Sequence, residues 1–168
     1  MNPELAKLSI PEIHKQNQIL WFALMAGVAL ISCVMVTQIY DSPDFYNQSN
    51  FLSSSFMYVA LGVSLLPMVF AKTLVEKKVQ QLAAQGLKEK FIDFRTNFVF
   101  NAAVHEGPAL ICVVLMFLEQ NFFFLVLVIF NLIFLYLTRP TLEKFQQWYQ
   151  LTGDEKQKLK TTFPNEML

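Results

Sequence analysis

The chain has 168 residues, is 54% hydrophobic and only 15% charged, and carries 13 basic against 13 acidic residues for a net charge of zero. Soluble domains are nearer ~25% charged, so this composition points to a membrane protein rather than a soluble domain. A chain without basic excess also lacks the electrostatic footprint of nucleic-acid binding, and no nucleic-acid partner is expected.

The N-terminal arm ends in "SIPE", Ser9 to Glu12, the pattern of a capping box with proline tolerated in the first turn. A helix is therefore predicted from about Ile10. It runs into "ILWFALMAGVALISCVMVTQI", residues 19–39, which holds no charge and at ~1.5 Å per residue covers the roughly 30 Å of a bilayer core. Trp21 and Tyr40 sit where interfacial aromatics belong. Acidic residues and a full-length apolar segment argue against a cleaved signal peptide, so this segment is expected to be retained.

A second span is predicted over 51–71, a third over 98–118 and a fourth, Phe-rich and short, over 122–137. Between spans two and three, Val75, Val79, Leu82, Leu87, Phe91 and Phe94 recur at helical spacing. Residues 72–97 are thus read as a helical hairpin continuing the two spans and turning near Gln85–Gly86, with Gly86 as a helix stop; the same amphipathic pattern fits two helices lying flat at the interface equally well. In the tail, 139–168, an apolar face of Leu142, Phe145, Trp148 and Tyr149 suits the headgroup zone, and "TGDE", Thr152 to Glu155, opens a final lysine-rich helix. The expected fold is an all-α membrane protein: one domain, 1–168, forming a four-transmembrane-helix bundle with a cytoplasmic hairpin and an amphipathic C-terminal helix.

Orientation follows from the cations. Every lysine and arginine lies in the N-terminal arm, in the segment between spans two and three, or in the tail; residues 40–50 and 119–121 have none. The positive-inside rule places both termini and the hairpin in the cytoplasm, with the bacterial cytoplasmic membrane as the expected location. The lipid bilayer and a membrane-protein partner or second copy are the expected partners.

The candidate site lies in "AAVHEGPALICVV", residues 102–114. Glu106 falls near mid-membrane, where an ionised carboxylate costs roughly a few kcal/mol and usually marks function. His105 points ~100° away around the helix. Pro108 cannot donate to the carbonyl of Val104 and is expected to kink the helix, as Pro67 does in span two. Gly107, with Ala103 four residues earlier, makes a small-residue strip for close helix contact. Counted from the cytoplasmic side, Pro67, Pro108 and Asn131 fall at similar depth. A polar layer is therefore expected to hold Glu106, His105, Asn131 and Ser64, for ion binding or as hydrogen bonds between helices.

Phe94 to Leu118, "FRTNFVFNAAVHEGPALICVVLMFL", resembles the carboxylate-bearing helix of the rotor-ring subunit c of ATP synthases. The resemblance implies that Gln85–Gly86 is the polar hairpin, that Arg95 leads into the helix, and that Glu106 binds a proton or sodium ion. The likeness covers only this segment. The preceding helix has Gly62 in place of a glycine ladder, and two further spans are present. As a whole the chain looks like small four-span proteins of bacterial inner membranes.

No HExxH motif, nucleophile elbow or phosphate loop occurs. Cys33 and Cys112 lack neighbours at zinc-ligand spacing, and His14 lies too far from His105 for a haem pair. No cofactor, metal or enzymatic activity is expected. The sequence points to an accessory or assembly subunit, with a proton or cation carrier built on Glu106 as the alternative.

Overall fold

A computed structural model describes residues 8–41, 56–65, 86–149 and 151–164 of the chain. Among the described residues there are six helices and no strand: α1 Ile10–Tyr40, α2 Phe56–Leu65, α3 Leu87–Leu118, α4 Phe123–Leu137, α5 Leu142–Tyr149 and α6 Gly153–Thr162. Two of them, α1 and α3, are long and apolar enough to cross a membrane. The pair α4 and α5, bent by 73°, makes a third candidate when taken as one broken span.

α1 begins where its capping box predicts. The carboxylate of Glu12 accepts from both the amide and the hydroxyl of Ser9 at 2.7 Å, which occupies donors that a helix start leaves open. α3 opens just after Gly86, which is its extended N-cap residue; whether a helix ends there lies outside the described residues. With 32 residues, α3 is roughly 48 Å long, well beyond a ~30 Å core. It runs unbroken through the buried Pro108. Pro67, residues 66–71 of the expected second span and residues 72–85 of the expected hairpin lie outside the described residues.

α3 and α4 are joined by a tight reversal. Gln120 takes φ 48°, a left-handed conformation, and the Asn121 amide donates back to the Met116 carbonyl at 3.2 Å. This is a helix-ending Schellman turn made without glycine. The Asn121 side chain then accepts from the Phe123 amide at 2.9 Å and starts α4. At 15 residues α4 reaches only about 22 Å. It stops at Thr138, because Pro140 two residues on can neither donate a helical hydrogen bond nor favour helix before it.

The core forms three contiguous clusters. One joins Val28 and Ile39 of α1, Ala60 of α2, Cys112 and Met116 of α3, and Phe124 and Val128 of α4. The next holds Phe98, Ala102 and Leu135 against Leu20, Trp21 and Leu24. The third lies outside the apolar spans and gathers Ile13, Phe91, Phe94, Leu142, Phe145, Tyr149, Leu159 and Phe163. This last cluster departs from the sequence reading of α5. Its apolar face packs on the base of α3, with Phe91 and Phe145 ring centroids 4.1 Å apart, instead of lying free for headgroups. Burying large rings against each other within the chain removes them from water without needing lipid.

Candidate functional site

The polar residues of the apolar helices divide between two places. Ser64 of α2 and Asn131 of α4 meet in the interior: the Asn131 amide donates to the Ser64 hydroxyl oxygen and to the Leu127 carbonyl, each at 2.9 Å. The Ser64 hydroxyl in turn lies 3.6 Å from the Cys112 thiol of α3. One polar knot thus ties three helices together at a level where water is excluded. Both Ser64 and Asn131 are buried, and the carbonyl oxygen of Asn131 has no hydrogen-bond partner among the described residues. The apolar run around Cys112 marks it, on sequence alone, as a small buried hydrophobe. Its burial agrees, but its contact with Ser64 becomes visible only once α2 and α3 are placed side by side.

His105 is buried on the same α3–α4 seam. It stacks on Phe134, with ring centroids 5.6 Å apart and planes 23° apart. Phe134 is three residues, ~4.5 Å of rise, along α4 from Asn131. Among the described residues Nδ1 of His105 has no hydrogen-bond partner. The expected layer therefore brings Ser64 and Asn131 together and leaves His105 about one turn away.

Glu106 stands apart from this group. It is half-buried, and among the described residues no hydrogen bond or ion pair reaches its carboxyl. The neighbouring strip is open as well. Ala103 is exposed, and a Cβ added at Gly107 would meet nothing within 4 Å. Gly107 and Ala103 therefore do not serve helix contact among the described parts of this chain; they face outward beside the acid.

A second polar group fixes the third cluster. Lys90 of α3 is buried and donates to both carboxylate oxygens of Glu155 at 2.9 Å. Glu155 also accepts from the amide and hydroxyl of Thr152, so a single carboxylate caps α6 and holds it to α3. Nearby, the Tyr149 phenol donates to Asp93 at 2.5 Å, and the Asn97 amide donates to Asp93 at 2.7 Å and to the Tyr149 oxygen at 3.0 Å. Burial, and then the Asp93 carboxylate, push the Tyr149 phenol far above its ordinary pKa and keep it a donor. The sequence contained two local signals for this network, the capping box in "TGDE" and the i, i+4 spacing of Asp93 and Asn97; the contacts that join α5 and α6 to α3 span too much of the chain to be read.

Chemically, the inner knot is neutral: an amide, a hydroxyl and a thiol that hydrogen-bond one another. Among the described residues no base is placed to activate the Ser64 hydroxyl. Among the described residues no three of His, Cys, Asp or Glu gather closely enough to hold a metal ion. No family model, curated protein or solved structure matches the chain.

Proposed function

We propose that this chain is a non-enzymatic protein of the bacterial cytoplasmic membrane that crosses the bilayer four times, with both termini cytoplasmic, and acts as an accessory or assembly subunit through helix contacts. The observation that carries this reading is the position of Glu106. A carboxyl in the middle of an apolar span, turned away from the inner knot and unpartnered among the described residues, is costly to leave in lipid. Donors from a second helix would relieve that cost. The open Ala103–Gly107 strip beside it lets another backbone approach closely. Phe100, Ile111 and Val114 extend the same exposed helix with apolar contact area, and α1 adds Phe22, Leu30 and Val34.

Gly107→Leu tests this. Among the described residues a Cβ placed at Gly107 meets nothing within 4 Å, and leucine is the better helix former by roughly 0.8 kcal/mol. The unfolding midpoint in detergent is therefore expected to hold or rise. Recovery of a stoichiometric membrane partner, or of a homo-oligomer by light scattering, is expected to fall sharply. A parent protein that is monomeric and brings down no partner from native membranes would overturn the reading.

The alternative is a proton or cation carrier in which Glu106 binds the ion, as the likeness to rotor subunit c implies. The unpaired ring nitrogen of His105 on the adjacent residue favours it. In liposomes, Glu106→Gln is expected to abolish ion flux on this reading. Absence of flux from the parent protein would end it.

A further inference from the structure

α4 and α5 meet at 73°, and their corner lies against the first turns of α1. The hollow between them holds about 420 Å³ and is lined by His14 and Gln18 of α1 and by Arg139, Thr141, Leu142 and Glu143. It sits where apolar sequence stops on both sides, since Gln18 directly precedes the α1 span and Arg139 closely follows the last apolar residue of α4. On the reading that α1 and α4 enter the bilayer, on which this inference rests, the hollow is at headgroup depth.

Opposite charges line this hollow without meeting. Arg139 and Glu143 are four residues apart and both exposed, yet among the described residues neither has an ion-pair partner. The guanidinium of Arg139 is seated over the ring of Trp21, 5.5 Å from its centroid. Trp21 is itself held by its indole N–H, which donates to the Leu135 carbonyl at 3.0 Å. A guanidinium held by its face keeps its N–H edges free for a pair of phosphate oxygens. Lys144 is occupied elsewhere, donating to the carbonyls of Leu137 and Arg139. Burial, and then the charge of Arg139, lower its pKa.

We propose that this cavity binds a zwitterionic phospholipid headgroup bearing a primary ammonium, phosphoethanolamine, with the phosphate on Arg139 and the ammonium on Glu143. A glycerol headgroup offers the phosphate but leaves Glu143 facing net negative charge. A choline headgroup carries its positive charge without an N–H to donate.

The test uses the full chain in detergent, titrated with phosphatidylethanolamine, phosphatidylcholine and phosphatidylglycerol of matched acyl chains, with bound lipid counted by native mass spectrometry. Phosphatidylethanolamine is expected to be retained about tenfold better than the other two, the worth of one good charge-assisted hydrogen bond. Glu143→Gln, an exposed substitution, is expected to remove that preference with the unfolding midpoint unchanged, whereas Arg139→Gln is expected to weaken retention of all three lipids, since each offers the phosphate. Equal retention of phosphatidylglycerol, or a preference that survives Glu143→Gln, overturns the proposal. Displacement of bound lipid by equimolar free phosphoethanolamine would assign the site to a soluble ligand and overturn the lipid assignment; failure to displace supports it. Alkaline extraction of native membranes tests the membrane reading by itself: release of the chain defeats that reading, whatever the lipid preference in detergent.

Discussion

Glu155 shows how much one side chain can carry. As the third residue of α6 it closes the capping box with Thr152, and it neutralises the buried Lys90 of α3. Burial opposes its ionisation, but the Lys90 ammonium and the Thr152 donors outweigh burial and hold its pKa below the ordinary glutamate value. A depressed folded pKa means that the unfolded chain binds the extra proton. The stabilisation is therefore complete above the unfolded value of about 4.3 and is lost as pH falls through the folded value. Glu155→Gln isolates the ion pair, because glutamine still completes a capping box. Its expected loss is roughly 2 kcal/mol near neutral pH, between the ~1 kcal/mol of an exposed pair and the ~3 kcal/mol or more of a fully buried one. Thermal unfolding at pH 7 and in acid checks both parts: the gap between parent and variant should close in acid, and a gap that stays constant would contradict the linkage. The capping half of this role was legible in "TGDE". Lys90 was not, because 65 residues separate it from Glu155 and a lysine beside a membrane span reads equally well as solvated.

Helix ends account for most of what could be read at the level of elements. Ser9 and Glu12, Gly86, and Thr152 and Glu155 each mark a boundary by satisfying or avoiding local backbone hydrogen bonds, so the starts of α1, α3 and α6 follow from a few neighbouring residues. The close of α3 is less obvious, since Gln120 adopts φ 48° where glycine is the usual residue. A side chain in that conformation costs roughly 1 kcal/mol. Gln120→Gly is therefore expected to stabilise the fold by about 0.5–1 kcal/mol, visible as a higher unfolding midpoint in detergent. A lower midpoint would mean that the turn does not carry this strain. The short α4 and its 73° departure into α5 were only half visible. Pro140 signals a break, but the direction in which the chain leaves depends on the aromatic surface that Phe91 and Phe94 present on a distant helix.

For the whole molecule, the distribution of charge makes the boldest expectation: all the cations on one side of four crossings. A cysteine placed at Gln48, outside the described residues, should react with an impermeant maleimide added to intact spheroplasts; labelling only after lysis would reverse the proposed map. The sequence by itself determined the class of protein. Long apolar runs, helix periodicity and capping residues act over a few neighbouring positions, and a bilayer leaves a chain of this kind little alternative to helix. Tertiary structure alone decided which polar groups meet. Ser64 with Asn131 and Cys112, Lys90 with Glu155, Tyr149 with Asp93, and Arg139 over Trp21 all join different elements. It also decided that Glu106 stands apart from the knot it was expected to join. Depth along a span can be counted from residue numbers, but the direction in which a side chain points around its helix depends on which neighbours pack there, and packing is a property of the assembled fold.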